Sequence, residues 1–277
     1  MMTKKKASAK ATSKKVKGSY APVNGLNLYY EIHSKGEPLI LLHGGVGASE
    51  MFEAVSPTFA KSRKVIAVHL QAHGRTADIE RPLSFEAMAD DIAALIKYLG
   101  LERTDLLGYS LGGEVALQTT IRHPALIHKL VLVSAAFKHD GFYPEVLESF
   151  AHMGPDAAQF MSQSPLAKLY PNKDWAALFT KLGHLMRQDF DWSKGVAEIK
   201  SPVMLIFADA DTYRTSHIME LFGLLGGGQR DAGLDGSGRP TTRLAILPNA
   251  THYDIISSPA LASMVTSFLD APTPREH

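Results

Sequence analysis

The chain contains no cysteine among its 277 residues. Disulfide bonds, thiolate metal sites and a cysteine nucleophile are therefore excluded. The sequence also lacks a run of about 20 apolar residues, the length that a membrane-spanning helix needs, and its N-terminus lacks the apolar segment of a signal peptide. We therefore expect a cytoplasmic protein without a membrane span.

Acidic side chains are absent from the first 17 residues, which contain seven lysines. We interpret residues 1–18 as a disordered, lysine-rich tail. Subtracting these lysines from the 29 Lys and Arg leaves 22 basic residues against 28 Asp and Glu. The rest of the chain is thus net negative, so we expect no nucleic-acid-binding surface on the folded body. The tail alone could contact an anionic polymer.

Short apolar segments alternate with helical patterns along the rest of the chain. Seven are predicted to be strands: Leu28–His33, Pro38–His43, Lys64–Leu70, Thr104–Ser110, Lys129–Ser134, Pro202–Ala208 and Thr242–Pro248. The last two have the continuous apolar character of strands buried on both faces. A helix is predicted over Phe85–Leu99, with Ser84 as its N-cap. The alternation predicts an α/β fold with a doubly wound, mostly parallel sheet.

The alternation stops between residues 136 and 200, where helical spacing continues without a convincing strand. We predict an inserted helical cap there, on a core formed by residues 19–135 and 201–277. Most aromatic and methionine side chains of the insertion are expected to pack against the core. Four aromatic side chains are the predicted substrate contacts: Tyr109, Phe142, Tyr143 and Trp192.

The glycine-rich segment Gly226–Pro240 superficially resembles a phosphate-binding loop. Such loops follow a strand and open a helix, whereas this segment leads into a strand. We interpret it as a surface loop on the face opposite the chemistry.

The strongest local motif is Gly108-Tyr109-Ser110-Leu111-Gly112, between a predicted strand and the helical run Leu111–Ile121. G-x-S-x-G in this context is typical of a nucleophile elbow. The turn is so tight that the positions two before and two after the serine must be small. It also places the hydroxyl beside a helix N-terminus, which favours negative charge. Ser110 is therefore the predicted nucleophile, and the N–H of Leu111 a predicted oxyanion donor.

A serine hydroxyl needs an adjacent base at neutral pH, and the base needs an anion to orient it. His252 is the predicted base because it follows the last strand. Two aspartates, Asp209 and Asp211, follow the preceding strand. The order Ser, acid, His leads us to predict Asp211 as the acid, with Asp209 as the alternative.

A tetrahedral intermediate needs a second N–H donor, and the glycine-rich turn after the strand ending at His43 offers two. We predict Gly45 as the donor, because glycine allows close backbone approach, and keep Val46 as the alternative. His43 is expected to be a structural residue.

Together, the segments LLHGG, QAHGRT, GYSLGG, FADAD and NATHY resemble the α/β-hydrolase superfamily over residues 28–269. Within it, the chain is similar to the capped esterase, lactonase and C–C hydrolase branch. The resemblance implies a serine hydrolase that uses neither cofactor nor metal. The triad predicts cleavage of a carboxylic ester through an acyl-enzyme, and the apolar cap predicts that this ester is small and moderately hydrophobic. Epoxide hydrolases and dehalogenases of the superfamily carry Asp at the elbow, so Ser110 argues against both.

The same machinery would serve a lactone, a thioester or a C–C bond beside a ketone, and the fold does not choose among them. Two other classes also stay open: a ligand receptor on a retained hydrolase fold, and cofactor-free oxygen or peroxide chemistry. The expected partner is a small ester-like molecule, and a homodimer is the assembly that we consider.

Overall fold

The structure is a computed structural model, and it describes residues 18–272. Apart from Gly18, the predicted lysine-rich tail lies outside the described residues. Within them, the strands are β1 (Ser19–Val23), β2 (Leu26–His33), β3 (Glu37–Leu42), β4 (Arg63–Val68), β5 (Thr104–Tyr109), β6 (Ile127–Val133), β7 (Val203–Ala210) and β8 (Arg243–Thr251). The α-helices are α1 (Ser56–Phe59), α2 (Phe85–Tyr98), α3 (Leu111–Arg122), α4 (Pro144–Ala151), α5 (Pro165–Leu169), α6 (Trp175–Met186), α7 (Ser193–Ala197), α8 (Thr215–Leu224) and α9 (Pro259–Asp270).

The strands form one sheet in the order β1-β2-β4-β3-β5-β6-β7-β8. The β1–β2 and β2–β4 pairs are antiparallel, and all other pairs are parallel. The predicted doubly wound, mostly parallel α/β sheet is therefore confirmed. All seven predicted strands are present, with ends shifted by at most three residues.

The sheet order reverses beside β3, which lies between β4 and β5. From β3 the chain continues to β4 on one side of it, and after β4 it crosses to β5 on the other side and goes on to β6. Such a switch point opens a crevice at the carboxyl ends of the strands, where ligands of α/β sheets bind. The turn after β3 and the turn after β5 therefore meet at this crevice.

Strand β1 was missed by the sequence prediction. It pairs with β2 through a turn at Asn24 and Gly25, whose φ angles are 49° and 78°. Asn-Gly is the favoured pair for a two-residue hairpin turn, since both positions need positive φ. The signal was thus present in the sequence.

The prediction that the last strand is buried on both faces was wrong. Strand β8 is the last in the sheet order, and Ile246 in it is 46% exposed. A continuous apolar run does not distinguish a central strand from one at the margin, where the flanking helices cover less of the sheet. By contrast, β7 is buried from Val203 to Ala208.

Helices cover both faces of the sheet. Alternate side chains of β3 illustrate this, because Ile40 and Leu42 join one apolar cluster while Leu39 and Leu41 join the other. The first cluster contains the buried faces of α2, α3 and α8, and the second those of α1 and α9. Helix α2 begins as predicted, with Ser84 Oγ accepting a hydrogen bond from the Ala87 N–H at 3.0 Å. Rigid packing on both faces fixes the strand ends that carry the site.

Residues 136–200, called the cap here, connect β6 to β7 and contain α4 to α7. Polar contacts join the cap to the core. Lys181 Nζ lies 2.6 Å from an Asp78 carboxylate oxygen, and the Tyr170 hydroxyl donates to Glu50 at 2.8 Å. These contacts hold α5 and α6 near the carboxyl ends of the strands. None of the helices within residues 18–272 is both long and apolar enough to cross a membrane.

Candidate active site

The turn between β5 and α3 is a sharp elbow with Ser110 at its apex. Ser110 has φ 51° and ψ −126°, a strained backbone conformation for a residue with a side chain. A Cβ on Gly108 would lie 2.1 Å from the carbonyl oxygen of Gly112, and one on Gly112 would lie 2.2 Å from that of Leu42. Neither position therefore accepts a side chain without movement of the backbone.

Three residues from different strand ends meet above the elbow. Nε2 of His252 lies 3.1 Å from Oγ of Ser110, and Nδ1 of His252 lies 3.0 Å from Oδ1 of Asp211. His252 follows β8 directly, and Asp211 follows β7 directly. The structure thus brings together all three residues of the predicted triad. With a proton on Nδ1 facing the carboxylate, Nε2 is free to accept the serine proton.

The carboxyl group of Asp211 is buried, with its side chain 1% exposed. Its Oδ2 accepts hydrogen bonds from Ser134 Oγ at 2.6 Å and from the Ala208 N–H at 2.9 Å. Burial alone would raise the pKa of Asp211. The hydrogen bonds and the nearby His252 outweigh burial and hold the pKa below its usual value, so the carboxyl is ionised at neutral pH.

Asp209, the alternative acid, is exposed and binds backbone groups rather than the imidazole of His252. It accepts hydrogen bonds from the backbone N–H of Asn249 at 2.9 Å and of Ala250 at 3.0 Å. These bonds lower the pKa of the Asp209 carboxyl. Asp209 therefore stabilises the turn that precedes His252, while Asp211 contacts the imidazole.

The turn after β3 faces the N-terminus of α3. The Val46 N–H donates to Nε2 of His73 at 3.2 Å, so it is already engaged. A Cβ on Gly45 would lie 3.9 Å from the Leu111 side chain, which puts the Gly45 backbone beside the elbow. Leu111 is the first residue of α3, where N–H groups have no partner within the helix. The two predicted oxyanion donors, Gly45 and Leu111, therefore lie side by side at the elbow.

Three buried histidines support this turn as neutral, structural groups. His43 donates from Nδ1 to the Gly44 carbonyl at 2.8 Å and accepts at Nε2 from the Leu70 N–H at 3.1 Å. Burial lowers the pKa of His43 to about 4. His73 and His69 are likewise bonded through both ring nitrogens. His43 is therefore structural, as the sequence indicates.

A cavity of about 320 Å³ opens beside Ser110 and His252. Its walls on the cap side are mostly apolar: Phe142, Val146, Phe150, Met153, Leu182 and Met186. Of the predicted substrate contacts, Tyr109 and Phe142 line this cavity, while Tyr143 and Trp192 are not among its lining residues. Trp192 instead stacks on Phe190, with ring centroids 4.4 Å apart. The Tyr143 side chain is 36% exposed.

Several polar residues of the site were not predicted from the sequence. Ser134 binds Asp211, Thr212 Oγ1 lies 3.1 Å from Nδ1 of His252, and Glu114 lines the cavity. Ser134 follows β6, so its place at a strand's carboxyl end was a usable signal. Glu114 had no such signal, because it lies inside a helix. Within residues 18–272, no group of three or more His, Asp or Glu side chains is arranged to hold a metal ion.

Comparison with known proteins identifies the family. A family model described as alpha/beta hydrolase fold matches residues 37–215. The chain belongs to this family. Among solved structures, the alpha/beta hydrolase resembles carboxylesterase CesB from Bacillus subtilis, with a TM-score of 0.72 and 20% identity over 93% of this chain and 92% of that one. It also resembles the enol-lactonase from Burkholderia xenovorans LB400, with a TM-score of 0.73 and 21% identity over 91% and 100% of the two chains.

Curated relatives match only part of the chain. A protein of Agrobacterium fabrum, provisionally named carbamate hydrolase RutD, is 32% identical over 157 residues, which are 52% of this alpha/beta hydrolase and 58% of the relative. The sn-1-specific diacylglycerol lipase ABHD11 of Danio rerio is 31% identical over 113 residues, 39% of this chain and 35% of the lipase. The chain thus spans less than two thirds of the length of these relatives.

Proposed function

We propose that this alpha/beta hydrolase cleaves a small, moderately hydrophobic carboxylic ester through an acyl-enzyme. The observation that carries the proposal is the hydrogen-bonded series Ser110, His252 and Asp211, with contacts of 3.1 and 3.0 Å. Such a series turns a weakly nucleophilic hydroxyl into one that attacks a carbonyl.

In the first half of the reaction, Nε2 of His252 takes the proton from Ser110 Oγ as the oxygen attacks the ester carbonyl. Asp211 holds the other ring nitrogen and stabilises the imidazolium that forms. The N–H groups of Gly45 and Leu111 bind the oxyanion, aided by the positive end of α3. His252 then protonates the leaving alkoxide, and the acyl group remains on Ser110.

In the second half, water takes the place of the alcohol. His252 removes a proton from the water as it attacks the acyl carbonyl, and the same two N–H groups bind the second oxyanion. His252 returns the proton to Ser110 Oγ as the acid leaves. The ester and one water supply all the atoms of the acid and the alcohol, and Ser110 and His252 return to their starting states.

The size and lining of the cavity support a small apolar substrate. Its volume of about 320 Å³ lies near the lower end of the range for small-molecule sites, roughly 300–1,000 Å³. Apolar side chains from α4 and α6, including Phe150 and Met186, cover one side. The names of the similar proteins, a carboxylesterase and an enol-lactonase among them, agree with hydrolysis of an ester-type bond.

Hydrolysis of p-nitrophenyl esters of increasing acyl length, together with lactones, thioesters and carbamates, tests the proposal. We expect turnover of short and medium esters that saturates with substrate and disappears in Ser110→Ala. A burst of p-nitrophenol equal to the enzyme concentration would report the acyl-enzyme. If a lactone, thioester or carbamate is the better substrate, the proposed triad stands and the proposed type of scissile bond changes.

Two results would overturn the proposal. Saturable ligand binding that is unchanged in Ser110→Ala, with negligible turnover, would mark a receptor. Activity that requires dioxygen or peroxide would mark oxygen chemistry on the same fold.

A further inference from the structure

A buried carboxyl group lies in the wall of the active-site cavity without a role in the triad. Glu114 is on α3, one helical turn after Ser110, and its N–H donates to the Ser110 carbonyl at 3.1 Å. The residue is 1% exposed, yet it lines the cavity together with Leu111 and Phe142. Glutamate is seldom buried this deeply unless it is paired. Its position therefore calls for a partner.

Only half of this carboxyl group has partners. Oε1 of Glu114 accepts hydrogen bonds from the Ala136 N–H at 2.9 Å and the Tyr213 hydroxyl at 3.1 Å. Oε2 is buried and has no hydrogen-bond partner among residues 18–272. A buried polar atom without a hydrogen-bond partner is destabilising, so it marks a place where a missing partner binds.

The chemistry of the carboxyl group defines that partner. Burial raises the pKa of Glu114 to about 7, although bonds to Ala136 and Tyr213 and the charge of His252 oppose this rise. With a pKa of about 7, both the neutral and the ionised form are present at neutral pH. In the neutral form, a proton on Oε2 is compatible with the N–H bond that Oε1 accepts from Ala136. This form presents a donor, whose complement is an oxygen acceptor such as a keto or hydroxyl oxygen.

We propose that Oε2 of Glu114 binds a keto or hydroxyl oxygen on the part of the substrate that occupies the cap-side cavity. This inference rests on the proposed esterase function and narrows its substrate to an oxygen-substituted ester. Ser110 and Glu114 line the same cavity, and the Glu114 N–H bonds to the Ser110 carbonyl, so the oxygen lies a few bonds from the scissile carbonyl. Glu114 is then a specificity-determining residue, while the triad performs the cleavage.

A site that pairs a buried polar group with its substrate rejects an analogue that lacks the matching group. The test therefore compares kcat/KM for matched phenyl esters. The 4-oxopentanoate and 3-hydroxybutanoate esters are paired with 4-methylpentanoate and 3-methylbutanoate, in which a methyl group replaces the oxygen. We expect the oxygen-bearing member of at least one pair to be favoured tenfold or more.

Variants test whether Glu114 causes the preference for the oxygen-bearing esters. Glu114→Met, which keeps the length of the side chain without its polar atoms, should lose the preference and still hydrolyse the methyl analogues. Glu114→Gln, which retains a donor, should keep part of the preference. Ser149→Ala is the matched control, because Ser149 lines the same cavity and its hydroxyl is bonded to the Val146 carbonyl. It should leave the preference unchanged.

The outcomes separate this inference from the proposed function. If the protein hydrolyses all four esters but shows no preference within either pair, the role of Glu114 is wrong and the esterase function stands. A preference that survives in Glu114→Met, or a stronger preference for an aminoalkyl ester, also overturns it. If none of the esters, plain or substituted, is hydrolysed, both proposals fail. Should Glu114→Met not fold, the wild-type preference and its partial loss in Glu114→Gln decide.

Discussion

Asp211 and His252 are joined by a 3.0 Å contact between Oδ1 and Nδ1, although 41 positions separate them in the chain. Asp209, two residues before Asp211, bonds instead to the backbone of Asn249 and Ala250. One aspartate therefore orients the imidazole and the other supports the turn that delivers it. This division leads to a prediction that distinguishes the two residues.

Asp211→Asn should lower kcat by about 10⁴-fold, because an amide fixes the wrong imidazole tautomer and does not stabilise the imidazolium. Asp209→Asn should lower kcat less than about tenfold, since an amide oxygen still accepts one of the two backbone hydrogen bonds. Steady-state kinetics of both variants on the best ester measures the difference. A larger loss in Asp209→Asn than in Asp211→Asn would show that the acid has been misassigned.

Ser110→Ala and His252→Ala should each lower kcat by roughly 10⁶-fold, because the two residues act as one unit. The double variant should be no slower than either single one for the same reason. Both changes leave the strand ends in place, so thermal unfolding should shift by only a few degrees. Loss of activity that is accompanied by loss of cooperative unfolding would indicate a structural role instead.

Two glycines near Ser110 differ in their tolerance for a side chain: Gly112 in the elbow and Gly45 in the turn after β3. Gly112→Ala would put a methyl group 2.2 Å from the Leu42 carbonyl oxygen, so we expect a loss of stability of about 3 kcal/mol or failure to fold. Gly45→Ala is the control, since its methyl group would lie 3.9 Å from the nearest side chain. Urea unfolding of both variants checks the contrast. Equal stabilities would mean that the elbow is looser than the structure describes.

The sequence specified the triad because each member occupies a fixed place relative to a strand. Ser110 follows β5, Asp211 follows β7 and His252 follows β8, and parallel strands bring their carboxyl ends to one edge. The choice between Gly45 and Val46 had a different basis. It rested on the close backbone approach that glycine allows. The structure adds the hydrogen bond from the Val46 N–H to His73, a contact between positions 27 residues apart that no local sequence pattern predicts.

The cap was less predictable than the core. Helical periodicity identifies its helices, but it does not say which aromatic side chain turns toward the cavity. Trp192 packs on Phe190 and Phe85, whereas Phe142 lines the cavity. Glu114 shows the same limit inside the core, since a glutamate in a helix ordinarily faces water, whereas α3 is buried from Leu111 to Thr120. Such assignments depend on packing between elements that are distant in the chain.

Stability should fall steeply as the pH drops from 6.5 toward 4.5. Burial lowers the pKa of His43 to about 4, of His73 to about 3 and of His69 to about 2, whereas an unfolded histidine titrates near 6.5. Below pH 6.5 the unfolded state therefore binds protons that the folded state does not. Stability is lost at about 1.4 kcal/mol per pH unit for each histidine, and above pH 6.5 this contribution is constant.

Urea unfolding at half-unit steps between pH 7.5 and 4.5 measures this slope. The three histidines contribute equally to the slope of stability against pH. His43→Gln should remove about one third of their contribution, because one group that takes up a proton on unfolding is gone. His152→Gln, which replaces an exposed histidine, is the control and should leave the slope unchanged. A slope that is unchanged in His43→Gln would show that the His43 imidazole accepts a proton in the folded state. In that case its hydrogen bonds to Gly44 and Leu70 would not hold the turn as described.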